Sequence, residues 1–251
     1  MIKVVLADWS GYPACRKKTF SWVDPEDASN RIGYSIDCGI SPLLQGFFSY
    51  KAGEEFSVVV VVSSSTGRDT SRLAEIEKMC NRYAFIDELF IKDNLNMDIG
   101  SYSLGYQYLL ASQFSGDIIF LNTSCRPPRA DNWLASYKKL FHSSPDIGLC
   151  GISINSAISP HVQSFFIYTS TDILSRCFSG SSLTKVPVCS SKEQLILDGE
   201  VWISQVVISN GFSLISSSFP DFVYSSKQSK WLQPEGDLRY MKDYIAIANQ
   251  I

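Results

Sequence analysis

Short uninterrupted apolar runs alternate with segments of helical spacing along the first half of this chain. Ile2–Ala7, Phe56–Val62 with its five consecutive valines, and Ile118–Leu121 each read as a strand covered on both faces, as in parallel sheets. Each run stops in small or polar residues: Asp8–Gly11, Ser63–Gly67, and Asn122–Ser124 ahead of Pro127 and Pro128. Between them, Ile40–Tyr50 carries Leu43, Leu44, Phe47 and Phe48 on one side and is closed by Ala52-Gly53. Asp69 or Thr70 can cap a helix through about Tyr83, and Leu89–Ile91 reads as a short strand. Asp98 and Ser101 offer caps for a helix from about Ser101 to Phe114. Residues 10–35, mixing Gly, Pro, Ser and charge, read as an irregular insertion.

The second half has fewer helices between its strands. Trp133–Phe141 is helical in spacing; Ile147–Ile154 and Val162–Tyr168 read as strands; Asp172–Phe178 reads as a short helix. Gly180–Ser191 is a Ser- and Thr-rich loop. Val201–Ser209 is helical, closed by Asn210-Gly211, and Phe212–Ile215 is a short strand. The tail from Tyr224 carries Trp231, Pro234 and Tyr240 and gives no clear pattern. The expected fold is α/β: a Rossmann-type sandwich with a central mixed, mainly parallel sheet flanked by helices. No repeat and no long linker divides it, so residues 1–251 read as one domain.

Composition narrows the partners. Hydrophobic residues make up 45% and charged residues 19%, which supports a sizeable core and excludes disorder. A net charge of −3 excludes a basic nucleic-acid binder, and Arg16-Lys17-Lys18 and Lys138-Lys139 read as solvated surface. Seven cysteines with no Cys-x-x-Cys pair fit a reducing compartment, and two histidines are too few for a His-based metal cage. Met1–Asp8 is too short for a signal peptide and no run reaches membrane-span length. The expected location is cytoplasmic, with any membrane association peripheral, at the inner face of the cell membrane.

Four segments carry a resemblance. They are Asn94-Leu95-Asn96-Met97-Asp98-Ile99-Gly100-Ser101-Tyr102, Ile119–Pro128, Pro160-His161-Val162-Gln163-Ser164-Phe165, and Asp198–Gln205 followed by Gly211-Phe212. In order and spacing they resemble bacterial glycosyltransferases with the GT-A fold, family 2-like, of the group tied to rhamnan and other surface-polysaccharide synthesis. Asn96 stands where that group carries a glycine. The resemblance covers about residues 40–220; residues 8–38 and the tail lie outside it. It implies a nucleotide-binding half over 1–125, an acceptor-binding half over 126–225 and a C-terminal tail over 226–251.

The resemblance also implies a chemistry: a UDP-, GDP- or dTDP-linked sugar is moved to a glycan or lipid-linked acceptor, with possible synthase-complex association. Most GT-A enzymes hold Mg2+ or Mn2+ on the donor through Asp-x-Asp at the end of the fourth strand. This chain has Asn122-Thr123-Ser124 there, so Asn122 and Ser124 could only be weak metal ligands. Arg126 is then expected to carry positive charge to the leaving phosphates. Asp8, Trp9 and Ser63 are expected at the base; Asn94, Asn96, Asp98 and Gly100 at the ribose or sugar; His161 and Gln163 at the acceptor. Glu200, with Asp198 beside it ahead of a helix, is the expected base of an inverting transfer.

Each residue has a purely structural role to set beside this. Asp98 can be an N-cap, Asp198 a cap for its helix, Glu200 a carboxylate at a helix N-terminus, and His161 a satisfied core residue. Two rival functions follow from the same residues. The neutral Asn122–Ser124 favours a non-catalytic GT-A-like protein that binds a glycan or a partner. A nucleotidyltransferase would need a Gly-rich basic loop after the first strand, which Asp8–Cys15 is not.

Overall fold

The computed structural model describes residues 1–23, 31–65, 69–156, 158–180 and 182–226. The first half runs β1 (Ile2–Trp9), β2 (Arg16–Val23), β3 (Arg31–Cys38), α1 (Ile40–Ser49), β4 (Phe56–Ser64), α2 (Thr70–Cys80), β5 (Ile86–Asp93), α3 (Met97–Ala111) and β6 (Asp117–Asn122). The second half runs α4 (Trp133–Phe141), β7 (Ile147–Gly151), β8 (Ile154–Asn155), β9 (His161–Val162), β10 (Phe166–Ser170) and α5 (Thr171–Cys177). It ends with α6 (Lys192–Leu195), a π-helical turn (Ile196–Val201), α7 (Trp202–Ser209), β11 (Ser213–Ser216) and β12 (Phe219–Tyr224).

Among the described residues, eight strands form one sheet in the order β12-β11-β7-β10-β6-β1-β4-β5. Its heart is parallel: β1 pairs with β4 and β6, and β4 pairs with β5. β10 enters antiparallel between β6 and β7, so the sheet is mixed, as the thinning of helices in the second half suggested. Val58–Val62 are fully buried, which is why a run of β-branched residues with no polar alternation is stable there.

The strand order creates a switch point. From β1 the chain steps outward to β4 and β5, then α3 carries it back to β6 on the opposite side of β1. Connections that leave in opposite directions open a crevice beyond the carboxyl ends of β1 and β6. α3 packs on β1 and β4, and its close approach depends on Gly105. A Cβ there would lie 2.3 Å from Val5 Cγ1.

Several expectations need correction. The expected irregular insertion over 10–35 contains regular structure: β2 and β3 pair antiparallel in a sheet of their own, from Arg16 opposite Cys38 to Val23 opposite Arg31. The charges Arg16, Lys17 and Lys18 at the start of β2 hid the strand, although β3 alternates Ile32, Tyr34, Ile36 and Cys38 with polar or small residues. Leu89–Ile91 is the centre of the longer β5. The run Ile147–Ile154 divides into β7 and β8, and Val162–Tyr168 divides into β9 and β10. The break at Gln163–Phe165 leaves a short loop exactly where the sheet meets the crevice. The first residue of the expected tail, Tyr224, closes β12; residues 227–251, with Trp231, Pro234 and Tyr240, lie outside the described residues, as do Thr66 and Gly67 of the expected turn.

Candidate functional site

A cleft of about 550 Å³ occupies the crevice. The end of β1 supplies Ala7, Asp8 and Trp9, the end of β4 supplies Ser63, and the end of β6 leads into Asn122, Thr123 and Ser124. Asn94, Met97 and Asp98 enter from the start of α3, Gln163–Phe165 from the β9–β10 loop, and Lys192 and Glu200 from the last helix. β2 adds Arg16 and Lys18.

At the floor, Asp8 is committed to the protein. It is 5% exposed, accepts a 2.6 Å hydrogen bond from Thr123 Oγ1, and meets Arg72 Nη2 at 3.4 Å. Burial raises its pKa against the pull of Thr123 and Arg72. Trp9 stands edge-on to Tyr12 with ring centroids 4.5 Å apart. Its indole N–H is buried without a hydrogen-bond partner. Ser63 is 2% exposed and accepts from Lys92 Nζ at 3.1 Å, so its hydroxyl is engaged from behind the cleft. Burial lowers the Lys92 pKa to about 8 against the charges of Asp93 and Asp98.

The residues around α3 separate into two groups. Asn94 and Asp98 line the cleft. Asp98 Oδ1 accepts from the Ile99 N–H at 3.0 Å, and Oδ2 accepts from Asn122 Nδ2 at 2.9 Å. It sits in the first turn and does not cap the helix; that position is Asn96. Asn96 itself faces elsewhere. Its amide donates to the Pro187 carbonyl and accepts from the Cys189 N–H, both at 2.8 Å, tying the loop before α6 to α3. Its φ of 56° is left-handed, which explains why Asn can stand where the resembled motif has glycine. Gly100 is not on the cleft wall: a Cβ there would lie 2.2 Å from the Leu95 carbonyl, so the glycine lets the first turn of α3 fold against the preceding loop.

Past β6, all three polar side chains are tied internally. Asn122 Oδ1 accepts from the Ser124 N–H at 3.0 Å while Nδ2 serves Asp98, and Thr123 serves Asp8. Ser124 Oγ accepts from Arg16 Nη2 at 3.2 Å. Arg126 does not join them. It is 5% exposed and lines a separate cavity of about 180 Å³ with Leu43, Phe47, Trp133 and Tyr137. Prolines 127 and 128 turn the chain away immediately after it. Arg16, read from sequence as solvated surface, is the guanidinium in the cleft. The available signal was period two: Arg16 and Lys18 share one face of a strand.

The opposite wall centres on Glu200. The expected helix over Val201–Ser209 begins earlier, at Lys192, where the Ser191 side chain accepts from the Gln194 N–H. Asp198 and Glu200 therefore lie inside the helical run and neither opens it. Asp198 accepts from Gln194 Nε2 at 3.2 Å and does not line the cleft. Glu200 falls in the π-helical turn, whose extra residue per turn redirects side chains, a device frequent at functional sites. Its carboxylate, 14% exposed, is 3.3 Å from Ser164 Oγ and 3.6 Å from His161 Nε2. Burial pushes its pKa up to about 7; the Ser164 backbone and hydroxyl pull it down, and the charge of Asp98 adds to the rise.

His161 is 3% exposed and donates from Nδ1 to the Ser159 carbonyl at 2.7 Å, which fixes its ring behind Glu200. Gln163 lines the cleft, its Oε1 held by Ser153 Oγ at 2.5 Å. Ser164, which carried no assigned role, joins the walls: its Oγ also lies 3.1 Å from Asp98 Oδ2. Asn122, Asp98, Ser164 and Glu200 thus stand in a row, each within hydrogen-bond distance of the next. Among the described residues, no group of three or more His, Cys, Asp or Glu is placed to hold a metal, and no helix is long and apolar enough to cross a membrane. Compared with family models, with curated proteins and with solved structures, the chain matches none.

Proposed function

We propose that this protein is a nucleotide-sugar-dependent glycosyltransferase with a GT-A-like fold. It moves a hexosyl or deoxyhexosyl group to a glycan or lipid-linked alcohol in bacterial surface-polysaccharide synthesis, at the cytoplasmic face of the membrane. The observation that supports the reading is that Glu200 and Asn122–Ser124 line one cleft, at the switch point of the sheet. The cleft volume suits a nucleotide-linked sugar.

The mechanism is a single displacement with inversion. The acceptor oxygen attacks the anomeric carbon and loses its proton to the Glu200 carboxylate. The bond from that carbon to the donor phosphate breaks, and its electron pair leaves with the nucleoside diphosphate. A base with a pKa near 7 is matched to this work, since a substantial fraction of it is ionised near neutral pH and it still holds a proton well. Asn94 offers a polar group to the ribose or sugar, and Trp9 with Tyr12 an aromatic wall to the base.

The test is a panel of UDP-, GDP- and dTDP-linked sugars assayed for hydrolysis and transfer. Glu200→Gln is expected to keep donor binding and lose at least about 10²-fold in transfer. Full activity in that variant removes the base assignment; no turnover of any donor by the native protein removes the enzyme reading. A second reading, a non-catalytic glycan- or partner-binding protein, draws on the internal pairing of Asn122, Thr123 and Ser124. Tight nucleotide binding without turnover would favour it.

A further inference from the structure

We infer that Arg16, with Lys18 beside it, holds the donor diphosphate in place of a divalent cation; this deepens the sugar-transfer reading and rests on it. The starting point is a misfit. A Mg2+ or Mn2+ ion needs about six oxygen ligands in near-octahedral array, with carboxylates among them. Asn122, Thr123 and Ser124 offer no carboxylate; Asn122 Oδ1 accepts from the Ser124 N–H, Thr123 Oγ1 gives its proton to Asp8, and Ser124 Oγ accepts from a guanidinium 3.2 Å away. That fixed positive charge repels a dication from the only hydroxyl of the row that faces Arg16. The flanking carboxylates are also committed: Asp98 to Ile99, Asn122 and Ser164, and Asp8 to Thr123 and Arg72. The donor set does not fit the ion.

The same atoms fit a diphosphate. Arg16 opens β2, and the alternation of the strand brings Lys18 onto the same wall of the cleft. The Tyr12 ring lies 3.9 Å from the guanidinium carbon and holds its plane. Arg16 forms no ion pair among the described residues; its Nη2 serves Ser124, and Nη1 is buried without a hydrogen-bond partner. Among the described residues no carboxylate pairs with it, and Asp8 acts on it only through space. A planar guanidinium pairs in two-pronged fashion with phosphate oxygens, and Lys18 adds a point charge. As the anomeric bond breaks, the electron pair collects on the departing phosphate, where Arg16 stabilises it without moving. The hairpin outside the resembled region would thus supply the function that its Asp-x-Asp would otherwise perform.

The experiment is calorimetric titration of the full chain with UDP, GDP and dTDP, each in EDTA and in Mn2+, and with the matching nucleosides. One diphosphate is expected to bind in EDTA with an affinity that Mn2+ changes less than twofold. Arg16→Ala is expected to weaken that binding at least tenfold while leaving the nucleoside unchanged, and Arg16→Lys to fall between. Diphosphate binding that needs Mn2+, or that Arg16→Ala leaves intact, overturns the assignment while the transfer reading stands. No diphosphate binding in either condition overturns both. Thermal melts establish that each variant is folded; should Arg16→Ala not fold, Arg16→Lys decides, since unchanged diphosphate affinity in it overturns the two-pronged contact.

Discussion

Asp98 and Glu200 share one hydroxyl: Ser164 Oγ lies 3.1 Å from Asp98 Oδ2 and 3.3 Å from Glu200 Oε2. A hydroxyl has one proton and can satisfy only one carboxylate as donor. Asp98 also receives the Ile99 N–H and the Asn122 amide, so its charge is the better stabilised of the two. Glu200, buried and beside that charge, is where an added proton goes.

The first prediction is a pH profile. The base must be ionised, so transfer should rise with pH along a limb centred at about 7, the value burial gives Glu200. Initial rates between pH 5 and 9 check this. A limb near the ordinary glutamate value would mean that a different group controls the reaction.

The same group makes stability pH-dependent with a defined sign. Its folded pKa is raised from 4.5 to about 7, so the folded state holds a proton that the unfolded chain releases first. Stability from this source is full below 4.5 and is lost as pH rises to 7, by on the order of 3 kcal/mol. Glu200→Gln mimics the protonated form and should remove that loss. Urea unfolding of both proteins at pH 5 and pH 8.5 is the measurement; equal pH dependence in the two would contradict the linkage.

Ser164→Ala tests the bridge. The hydroxyl pulls the Glu200 pKa down, and its removal leaves two carboxylates facing each other with less between them. The acid limb of the rate profile should move up by roughly half a unit to one unit. A limb that stays in place would show that the backbone N–H of Ser164 alone sets the value.

Asn96 is expected to act on stability. Asn96→Ala removes two hydrogen bonds to the loop and puts a Cβ-bearing residue without a side-chain amide at φ 56°. A loss of about 1–2 kcal/mol is expected. Asn96→Gly, which tolerates the backbone angle, should lose less. Chemical denaturation that ranks the two variants the other way would assign the cost to something besides the backbone.

Gly105→Ala should destabilise by about 1–3 kcal/mol, because its new methyl meets Val5 at the contact between α3 and β1. Val5→Ala in the same chain should recover part of the loss, and a double-mutant cycle reads the coupling. Strict additivity would place the strain elsewhere.

What the linear chain determined about this protein was its sheet. Val58–Val62 and Ile118–Leu121 can be stable only when covered on both faces, and the helical spacings between such strands require crossovers. Local composition likewise marked the strand ends, where Asp8, Ser63 and Asn122 stand at the cleft. Tertiary structure decided which polar residues meet there. Arg16 and Ser124 are 108 positions apart, and Asp98, Ser164 and Glu200 come from three separate elements. No periodicity encodes such pairs, because they arise from how finished elements pack. Arg126 shows the same limit from the other side: two positions from Ser124 in sequence, it lines a different cavity. The π-helical turn that aims Glu200 is likewise invisible in spacing, since one inserted residue per turn takes its meaning only from the walls it faces.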